Sequence, residues 1–158
     1  MEINAESVVL ITGGSAGIGF ACARAFAKAG ARVVLVARGQ DRLEHAVSRI
    51  QADGGDATSI MADAGLRSDC DRVLSEVEAS FGRLDVLINN AGLHHRGTFL
   101  DIDADDLAAM IDVNLKSPIR LTRRALPLML KTGGSIINVA SLAGCVPVPN
   151  STVYSASK

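Results

Sequence analysis

The 158-residue sequence predicts an α/β fold, a doubly wound parallel sheet with helices on both faces. Short β-branched runs alternate with segments whose apolar residues recur at helical spacing. The β-branched runs are apolar at successive positions, as in strands that helices cover on both sides. Glycines follow the helical segments at the points where helices are expected to end.

Five strands are predicted in chain order, at residues 8–11, 33–36, 57–61, 86–88 and 136–139. The run at 57–61 is the weakest of them. Three helices between the strands are expected to bury apolar stripes. The first stripe is Ile18, Ala21, Cys22, Ala25 and Ala29. The second is Leu43, Ala46, Val47 and Ile50. The third is Cys70, Val73, Leu74, Val77 and Phe81.

Local signals predict the ends of the later helices. Ser68, followed three residues later by Asp71, resembles a capping box for the third helix. A fourth helical region is expected over residues 103–131, with a bend near Pro118 and an end before Gly133. The start of a further helix is predicted after the fifth strand.

Charge and hydropathy exclude several classes of partner. The sequence has 16 basic and 17 acidic residues and a formal net charge of −1, without a basic patch for nucleic acid or an anionic membrane. No apolar run reaches the roughly 18 residues of a membrane span, and the first residues lack signal-peptide features. We therefore expect a cytoplasmic protein with no nucleic-acid or membrane partner.

Cysteines and histidines do not indicate a disulfide framework or a metal site. Cys22, Cys70 and Cys145 have no close pairing in the sequence. Cys22 and Cys70 fall on the predicted buried stripes and are expected to be small core residues. Adjacent His94 and His95 point in different directions and have no carboxylate at ligand spacing, so no metal site is predicted.

A glycine-rich turn follows the first predicted strand and leads directly into the first helix. The segment 12–19 reads Thr-Gly-Gly-Ser-Ala-Gly-Ile-Gly. Glycines let a backbone approach a pyrophosphate closely, and the helix N-terminus directs free N–H groups at it. A plain strand-to-helix turn is the alternative. Because the turn lies between a strand and a helix, we expect nucleotide binding.

Three further motifs accompany this Gly-x-x-x-Gly-x-Gly turn. They are Asn-Asn-Ala-Gly at residues 89–92, Ser141 after the fifth strand, and Tyr154 with Lys158. With these motifs in this order, the chain resembles the short-chain dehydrogenase/reductase family over its whole length. The resemblance implies that residues 1–158 form a single NAD(P)-binding Rossmann-type domain. The cofactor-binding residues are then expected to be Thr12, Gly13, Ser15, Ala16, Gly17, Ile18, Gly19, Arg38, Asp63, Ala64, Asn90, Ala91, Gly92, Tyr154 and Lys158.

The end of the second strand favours NADP over NAD. An acidic residue there accepts a hydrogen bond from the ribose 2′-hydroxyl of NAD, whereas an Arg binds the 2′-phosphate of NADP. Here Ala37 stands where NAD-preferring relatives have aspartate, and Arg38 follows it. The alternative is that Arg38 only begins a solvated loop. By resemblance, Asp63 meets the adenine amino group.

Four residues are expected to carry the chemistry. Tyr154 and Lys158 are four residues apart, so on a helix they share a face. The Lys158 ammonium would then stabilise the Tyr154 phenolate, so that the tyrosine can act as a general acid and base. Ser141 would hold the substrate oxygen through its hydroxyl. The resemblance gives Asn114 the role of positioning a water that relays protons to Lys158.

These assignments predict an NADP-dependent oxidoreductase that acts on a small-molecule carbonyl or secondary alcohol, in the manner of the family's 3-oxoacyl reductases. A nucleotide-binding fragment or pseudoenzyme without turnover is the alternative. A purely structural or interaction domain ranks last, because it leaves the four catalytic candidates unexplained.

The family pattern continues beyond Lys158 with two more strands, a further helix and a mobile segment that covers the substrate. We therefore expect this chain to be a partial record of a longer enzyme. In the family a helix from that later part usually joins subunits, so the full-length form is expected to be a homodimer or homotetramer.

Overall fold

The computed structural model describes residues 2–158, which form a sheet of five strands. The strands are β1 (Val8–Thr12), β2 (Arg32–Ala37), β3 (Asp56–Met61), β4 (Val86–Asn89) and β5 (Ser135–Asn138). All four neighbouring pairs are parallel, in the order β3-β2-β1-β4-β5. The predicted fold class is confirmed, and the predicted strands differ from these by one residue at their ends.

Six α-helices connect or follow the strands. They are α1 (Gly17–Lys28), α2 (Gln40–Ala52), α3 (Arg67–Phe81), α4 (Ala104–Ile111), α5 (Ser117–Thr132) and α6 (Thr152–Ala156). A π-helical turn, Asp112–Lys116, joins α4 to α5, and a 3₁₀ turn, Leu142–Gly144, precedes α6. None of the helices in residues 2–158 is both long and apolar enough to span a bilayer.

Two hydrophobic cores lie on opposite faces of the sheet. Successive strand side chains point to opposite faces, so Val8 and Leu10 of β1 pack with α3 and α5, while Val9 and Ile11 pack with α1 and α2. All five residues of β1 are buried. Helices therefore cover both faces, and the carboxyl ends of the strands meet along one edge.

The predicted inward faces of α2 and α3 are confirmed. Their fully buried members are Leu43, Ala46, Ile50, Cys70, Val73, Leu74 and Val77. Burial raises the pKa of the Cys70 thiol, as expected for a cysteine that serves as a core residue.

The predicted buried face of α1 is wrong. Ile18 is 62% exposed, whereas the buried residues of the helix are Gly19, Ala23 and Ala27. Small residues repeated every fourth position let a helix lie close against the sheet. Cys22 is only half-buried at the side of this contact. Apolar periodicity alone could not distinguish the two faces, because α1 carries apolar residues on both.

The predicted capping box of α3 is also wrong. The helix begins at Arg67, its N-cap is Leu66, and no side chain caps it. Instead, the carboxylate of Asp69 accepts a hydrogen bond from the backbone N–H of Asp63 at 2.7 Å. This bond, together with Arg72, lowers the pKa of Asp69. It ties the start of α3 to the loop that follows β3.

Just before Pro118, where a bend in one helix was predicted, a π turn separates α4 from α5. In the π turn, the Ser117 N–H donates to the carbonyl of Asp112, five residues before it. Pro118 has no N–H for the carbonyl of Asn114, so an ordinary α-helical bond is missing at this point. Asn114 consequently sits in a widened turn, a feature that is frequent at functional sites. Gly133 ends α5 with φ 65°, as predicted.

Candidate functional site

The glycine-rich turn lies at the carboxyl edge, between β1 and α1. Ala16 is the N-cap of α1, and neither a side-chain cap nor an acidic first-turn residue occupies the helix N-terminus. Its free N–H groups and positive dipole therefore suit a phosphate group. Gly17 has φ 54°, which favours glycine, and a Cβ at Gly19 would collide with the Gly13 carbonyl oxygen.

A cleft of about 320 Å³ opens beside this turn and runs along the ends of β2 and β3. The predicted cofactor-binding residues that line it are Gly13, Ser15, Arg38, Asp63, Ala64, Ala91 and Gly92. Ala16, Gly17 and Ile18 are exposed at the helix N-terminus outside this lining. The other predicted cofactor-binding residues do not line this cleft. They are Thr12, Gly19 and Asn90 at the turn, and Tyr154 and Lys158 in a neighbouring side-chain cluster.

Thr12 and Asn90 join the two halves of the sheet beneath the turn. The buried Thr12 Oγ1 accepts hydrogen bonds from the N–H groups of Asn90 and Ala91, both at 3.0 Å. The Asn90 amide donates to the carbonyls of Thr12 and Gly13, at 2.9 and 3.1 Å. Both side chains thus hold the turn against the end of β4, and neither lines the cleft.

Two arginines stand at one end of the cleft. Arg38 follows β2, and Arg42 lies in the first turn of α2. Both are exposed, and neither forms a salt bridge within the part of the chain that the structure describes. Arg42 was not among the predicted site residues, although its position four residues after Arg38 was the available signal. Two unpaired guanidinium groups match a phosphate monoester.

Asp63 lies along the same wall, after β3. The backbone N–H of Asp63 donates to the Asp69 carboxylate. One oxygen of the Asp63 carboxylate accepts a hydrogen bond from the Gly65 N–H at 2.8 Å. The other oxygen has no hydrogen bond within residues 2–158 and remains available as an acceptor toward the cleft. The chemistry of this donor and acceptor set fits an adenine dinucleotide with a phosphate on its ribose.

Asn114 is the centre of the second cluster. Its side chain is buried and makes three hydrogen bonds: to the N–H and carbonyl of Leu93, at 2.8 and 2.9 Å, and to the Ser157 hydroxyl at 2.8 Å. These bonds tie the loop after β4 to the end of α6. Both amide hydrogens of Asn114 are therefore used within the chain, and Pro118 supplies no N–H to its main-chain carbonyl.

Lys158 extends into this cluster from beyond α6. Its ammonium donates to the Val139 carbonyl at 3.3 Å and lies 5.9 Å from the ring centroid of Tyr154. A Cβ placed on Gly92 would lie 3.4 Å from the Lys158 Nζ and 3.6 Å from Asn114 Oδ1. Gly92 therefore lies both in the lining of the cleft and beside this cluster.

The Tyr154 hydroxyl makes no hydrogen bond to any residue in the described part of the chain. Its ring stacks on that of His94, with centroids 4.0 Å apart and an interplanar angle of 23°. His94 was not among the predicted site residues, and only its position two residues after the Asn-Asn-Ala-Gly motif could have indicated it.

Ser141 precedes the 3₁₀ turn, which contacts α6. Its Oγ accepts from the Ala143 N–H at 3.2 Å and caps the 3₁₀ turn. Within residues 2–158 the structure records no hydrogen bond between Ser141 and Tyr154. The structure thus brings Asn114, Tyr154 and Lys158 into one cluster by direct or shared contacts, and leaves Ser141 engaged locally.

Comparison with known proteins gives a consistent result. The sequence model of the short chain dehydrogenases matches residues 7–158. Ketoacyl reductase HetN of Nostoc sp. is 41% identical over 151 residues, which cover 95% of this chain and 53% of that protein. The chain spans about half the length of the curated relatives it matches.

Solved structures agree with this comparison. A metagenomic short-chain oxidoreductase in complex with NADP is 40% identical, with a TM-score of 0.93, covering 98% of this chain and 71% of that one. L-Sorbose reductase from Gluconobacter frateurii, complexed with NADPH and L-sorbose, is 33% identical, with a TM-score of 0.92 and coverage of 99% and 61%.

Proposed function

The chain belongs to the short-chain dehydrogenase family, and from that premise we propose that it is an NADP-dependent oxidoreductase of carbonyl and secondary alcohol substrates. One observation carries the proposal. Gly92 lines the cleft that begins at Arg38, and it also abuts the Lys158 ammonium and Asn114. A dinucleotide extended along that cleft would therefore end beside the cluster that holds Tyr154.

Residues of the cleft supply the binding contacts. Arg38 and Arg42 hold the ribose 2′-phosphate, and the uncapped N-terminus of α1 holds the pyrophosphate. Asp63 accepts a hydrogen bond from the adenine amino group. We assign NADP rather than NAD, because β2 ends in Ala37 instead of an acidic residue and the two unpaired arginines Arg38 and Arg42 follow it.

When bound, the cofactor supplies the hydride that is transferred to the carbonyl carbon. Tyr154 donates the proton of its hydroxyl to the carbonyl oxygen in the reductive direction. Lys158 holds positive charge beside the tyrosine and stabilises its phenolate. The Asn114 carbonyl positions a water that returns a proton through Lys158, while the side chain of Asn114 orients Leu93 and Ser157.

Carbonyl reduction is the proposed direction, and a 3-oxoacyl compound is the proposed type of substrate. Support comes from relatives described as a ketoacyl reductase and an L-sorbose reductase. Ser141 takes part by donating its hydroxyl to the substrate oxygen.

The alternative is a nucleotide-binding protein without turnover. The observation that favours it is that the Ser141 Oγ accepts from the Ala143 N–H and makes no hydrogen bond to Tyr154 within residues 2–158. This alternative predicts saturable cofactor binding and no hydride transfer.

We further propose that residues 1–158 act as one NAD(P)-binding domain in a cytoplasmic homo-oligomer. Support for association comes from an apolar face on the π turn and α5, where Leu115 is 45%, Ile119 is 61% and Leu130 is 78% exposed. Apolar patches of this kind are common at subunit contacts.

The decisive experiment combines binding with turnover. NADPH and NADH are titrated by fluorescence, and reduction of 3-oxoacyl thioesters is then followed with NADPH. The Tyr154→Phe variant is expected to keep its NADPH affinity and to lose about 10²- to 10⁴-fold in turnover, the usual contribution of a general acid. Undiminished turnover in that variant would contradict the proposal. Binding without turnover in any form of the protein would favour the alternative.

A further inference from the structure

His94 covers one face of the Tyr154 ring. The centroids of the two rings are 4.0 Å apart and their planes differ by 23°. Aromatic pairs at this separation attract each other in a defined relative orientation. Because His94 belongs to the loop after β4 and Tyr154 to α6, the contact joins two segments that are 60 residues apart in the sequence.

A hydrogen bond fixes the imidazole in place. His94 Nε2 lies 3.1 Å from the Oγ of Ser151, which is buried and is the N-cap residue of α6. The Ser151 hydroxyl also lies 3.4 Å from the Pro149 carbonyl. Either ring tautomer of His94 can bond this hydroxyl, with Nε2 donating in one and accepting in the other. The imidazole is thereby anchored to the start of the same short helix that carries Tyr154.

We propose that His94 is a positioning residue, whose imidazole holds the Tyr154 ring in the orientation that directs the phenol hydroxyl to the substrate. This inference rests on the proposed role of Tyr154 as proton donor. The tyrosine hydroxyl has no hydrogen bond within residues 2–158, and the Lys158 ammonium lies 5.9 Å from the ring centroid. The stack with His94 therefore restrains the orientation of this side chain.

The neighbouring histidine provides a matched control. His95 interacts with α4 instead: its N–H donates to the sulfur of Met110 at 3.4 Å, and its Nε2 lies 3.9 Å from Asp106. It makes no recorded contact with Tyr154 in the described part of the chain. His94→Ala and His95→Ala therefore remove the same side chain from adjacent positions, and only the first removes the stack.

The first readout does not depend on activity. Tyr154 is the single tyrosine, and there is no tryptophan, so NMR of the ring protons of tyrosine reports on this side chain alone. A stacked imidazole shields those protons through its ring current. We expect His94→Ala to move their resonances downfield and to increase ring mobility, and His95→Ala to leave them in place.

The second readout separates positioning from binding. We expect His94→Ala to lower kcat about tenfold, the upper range for an aromatic pair, with the KM for NADPH unchanged. His94→Phe keeps a stacking ring without the hydrogen bond and is expected to restore most of kcat. His94→Asn can keep the hydrogen bond without the stack and is expected to resemble His94→Ala.

The outcomes distinguish failure of the positioning role of His94 from failure of the proposed function. Unshifted tyrosine resonances in His94→Ala, an unchanged kcat, or equal losses in His94→Phe and His94→Ala would overturn the positioning role. If Tyr154→Phe retains full turnover while the resonances still shift, the stack exists but the proposed function fails instead. The two failures are thus distinguishable in one set of variants.

Discussion

The two ends of the parallel sheet differ in whether their polar groups have hydrogen-bond partners within the chain. At the amino end, the buried carboxylate of Asp85 receives hydrogen bonds from the Val8 N–H at 2.8 Å and from Arg83 at 3.0 and 2.7 Å. The Asp85 backbone also donates to the Val8 carbonyl and accepts from the Ser135 N–H. One residue thus fastens the starts of β1, β4 and β5.

At the carboxyl end, several polar groups have no partner within residues 2–158. They include the guanidinium groups of Arg38 and Arg42, the hydroxyl of Tyr154 and the uncapped N-terminus of α1 behind Ala16. These groups surround the cleft and the neighbouring cluster.

Bonded residues at the amino end therefore stabilise the fold, whereas the unpartnered residues at the carboxyl end are available to bind a ligand. A buried charge is stable only when it is paired, so Asp85 is satisfied from within the chain. A binding site needs donors that remain free until a ligand arrives. Substitutions at the amino end should therefore change stability, and substitutions at the carboxyl end should change binding and turnover.

The largest change in stability is expected for Asp85→Ala. It leaves the Val8 N–H buried without a partner, and the free energy of unfolding should fall by about 3 kcal/mol. Urea denaturation of the purified chain measures this loss. Asp53→Ala removes the exposed ion pair with Arg24 and is the control, with an expected change of less than about 0.5 kcal/mol. Equal effects of the two variants would contradict the special role of Asp85.

Acid should produce part of the same loss without a mutation. Burial alone raises the pKa of Asp85, but hydrogen bonds from Arg83 and Val8 outweigh burial and hold the pKa below its ordinary value. The folded carboxyl then binds a proton more weakly than the unfolded one, which titrates at about pH 3.9. The stabilisation is therefore complete above that pH and declines as pH falls toward the lowered pKa of the folded state.

Asp69 should add to this decline, because its pKa is also lowered, chiefly by the Asp63 N–H. Denaturant midpoints between neutral and acidic pH test the sign. In Asp85→Asn the midpoint should depend less on pH in the acidic range. An undiminished dependence would assign the effect to other carboxylates.

At the opposite end, removal of the two cleft arginines should weaken cofactor binding. Arg38→Ala combined with Arg42→Ala is expected to raise the Kd for NADPH about tenfold, or about 1.4 kcal/mol, with NADH little affected. Arg49→Ala, on the same helix but stacked on Phe20 outside the cleft, is the control. Equal losses for both cofactors would argue against a 2′-phosphate site. The free energy of unfolding should change little in both the double variant and the control.

The smallest expected effect tests whether the bare helix N-terminus is reserved for a ligand. Ala16→Asp should cap α1, raise the free energy of unfolding by about 0.5–1 kcal/mol, and weaken NADPH binding by charge repulsion. Leu66→Asp caps α3, which also lacks a side-chain cap, and should stabilise the chain without changing binding. Unchanged NADPH affinity in Ala16→Asp would place the pyrophosphate elsewhere.

Much of the architecture could be predicted from local pattern. β-branched runs predicted β1, β2, β4 and β5, and in the central strands β1, β2 and β4 the side chains are buried on both faces, which leaves no polar alternation. The run at 57–61 was the weakest prediction, and most residues of β3 are not buried. The stripes of α2 and α3 predicted their buried faces, because each of these helices is apolar on one side only. On α1 the same rule failed, since the choice of face depended on how closely Gly19 and Ala23 approach the sheet.

The site residues can likewise be divided into those that the sequence predicted and those that only tertiary packing brought together. Motif and spacing were sufficient to propose the turn, Arg38, Tyr154 and Lys158, because each belongs to a short pattern with a chemical reason, whereas the role of Asn114 came from the family resemblance. Tertiary packing decided which of these residues are in contact. It placed Gly92 between the cleft and Lys158, added Arg42, left the Ser141 Oγ bonded to the Ala143 N–H, and stacked His94 on Tyr154. Such contacts join residues far apart in the chain, and only the packing of helices against the sheet determines their distances.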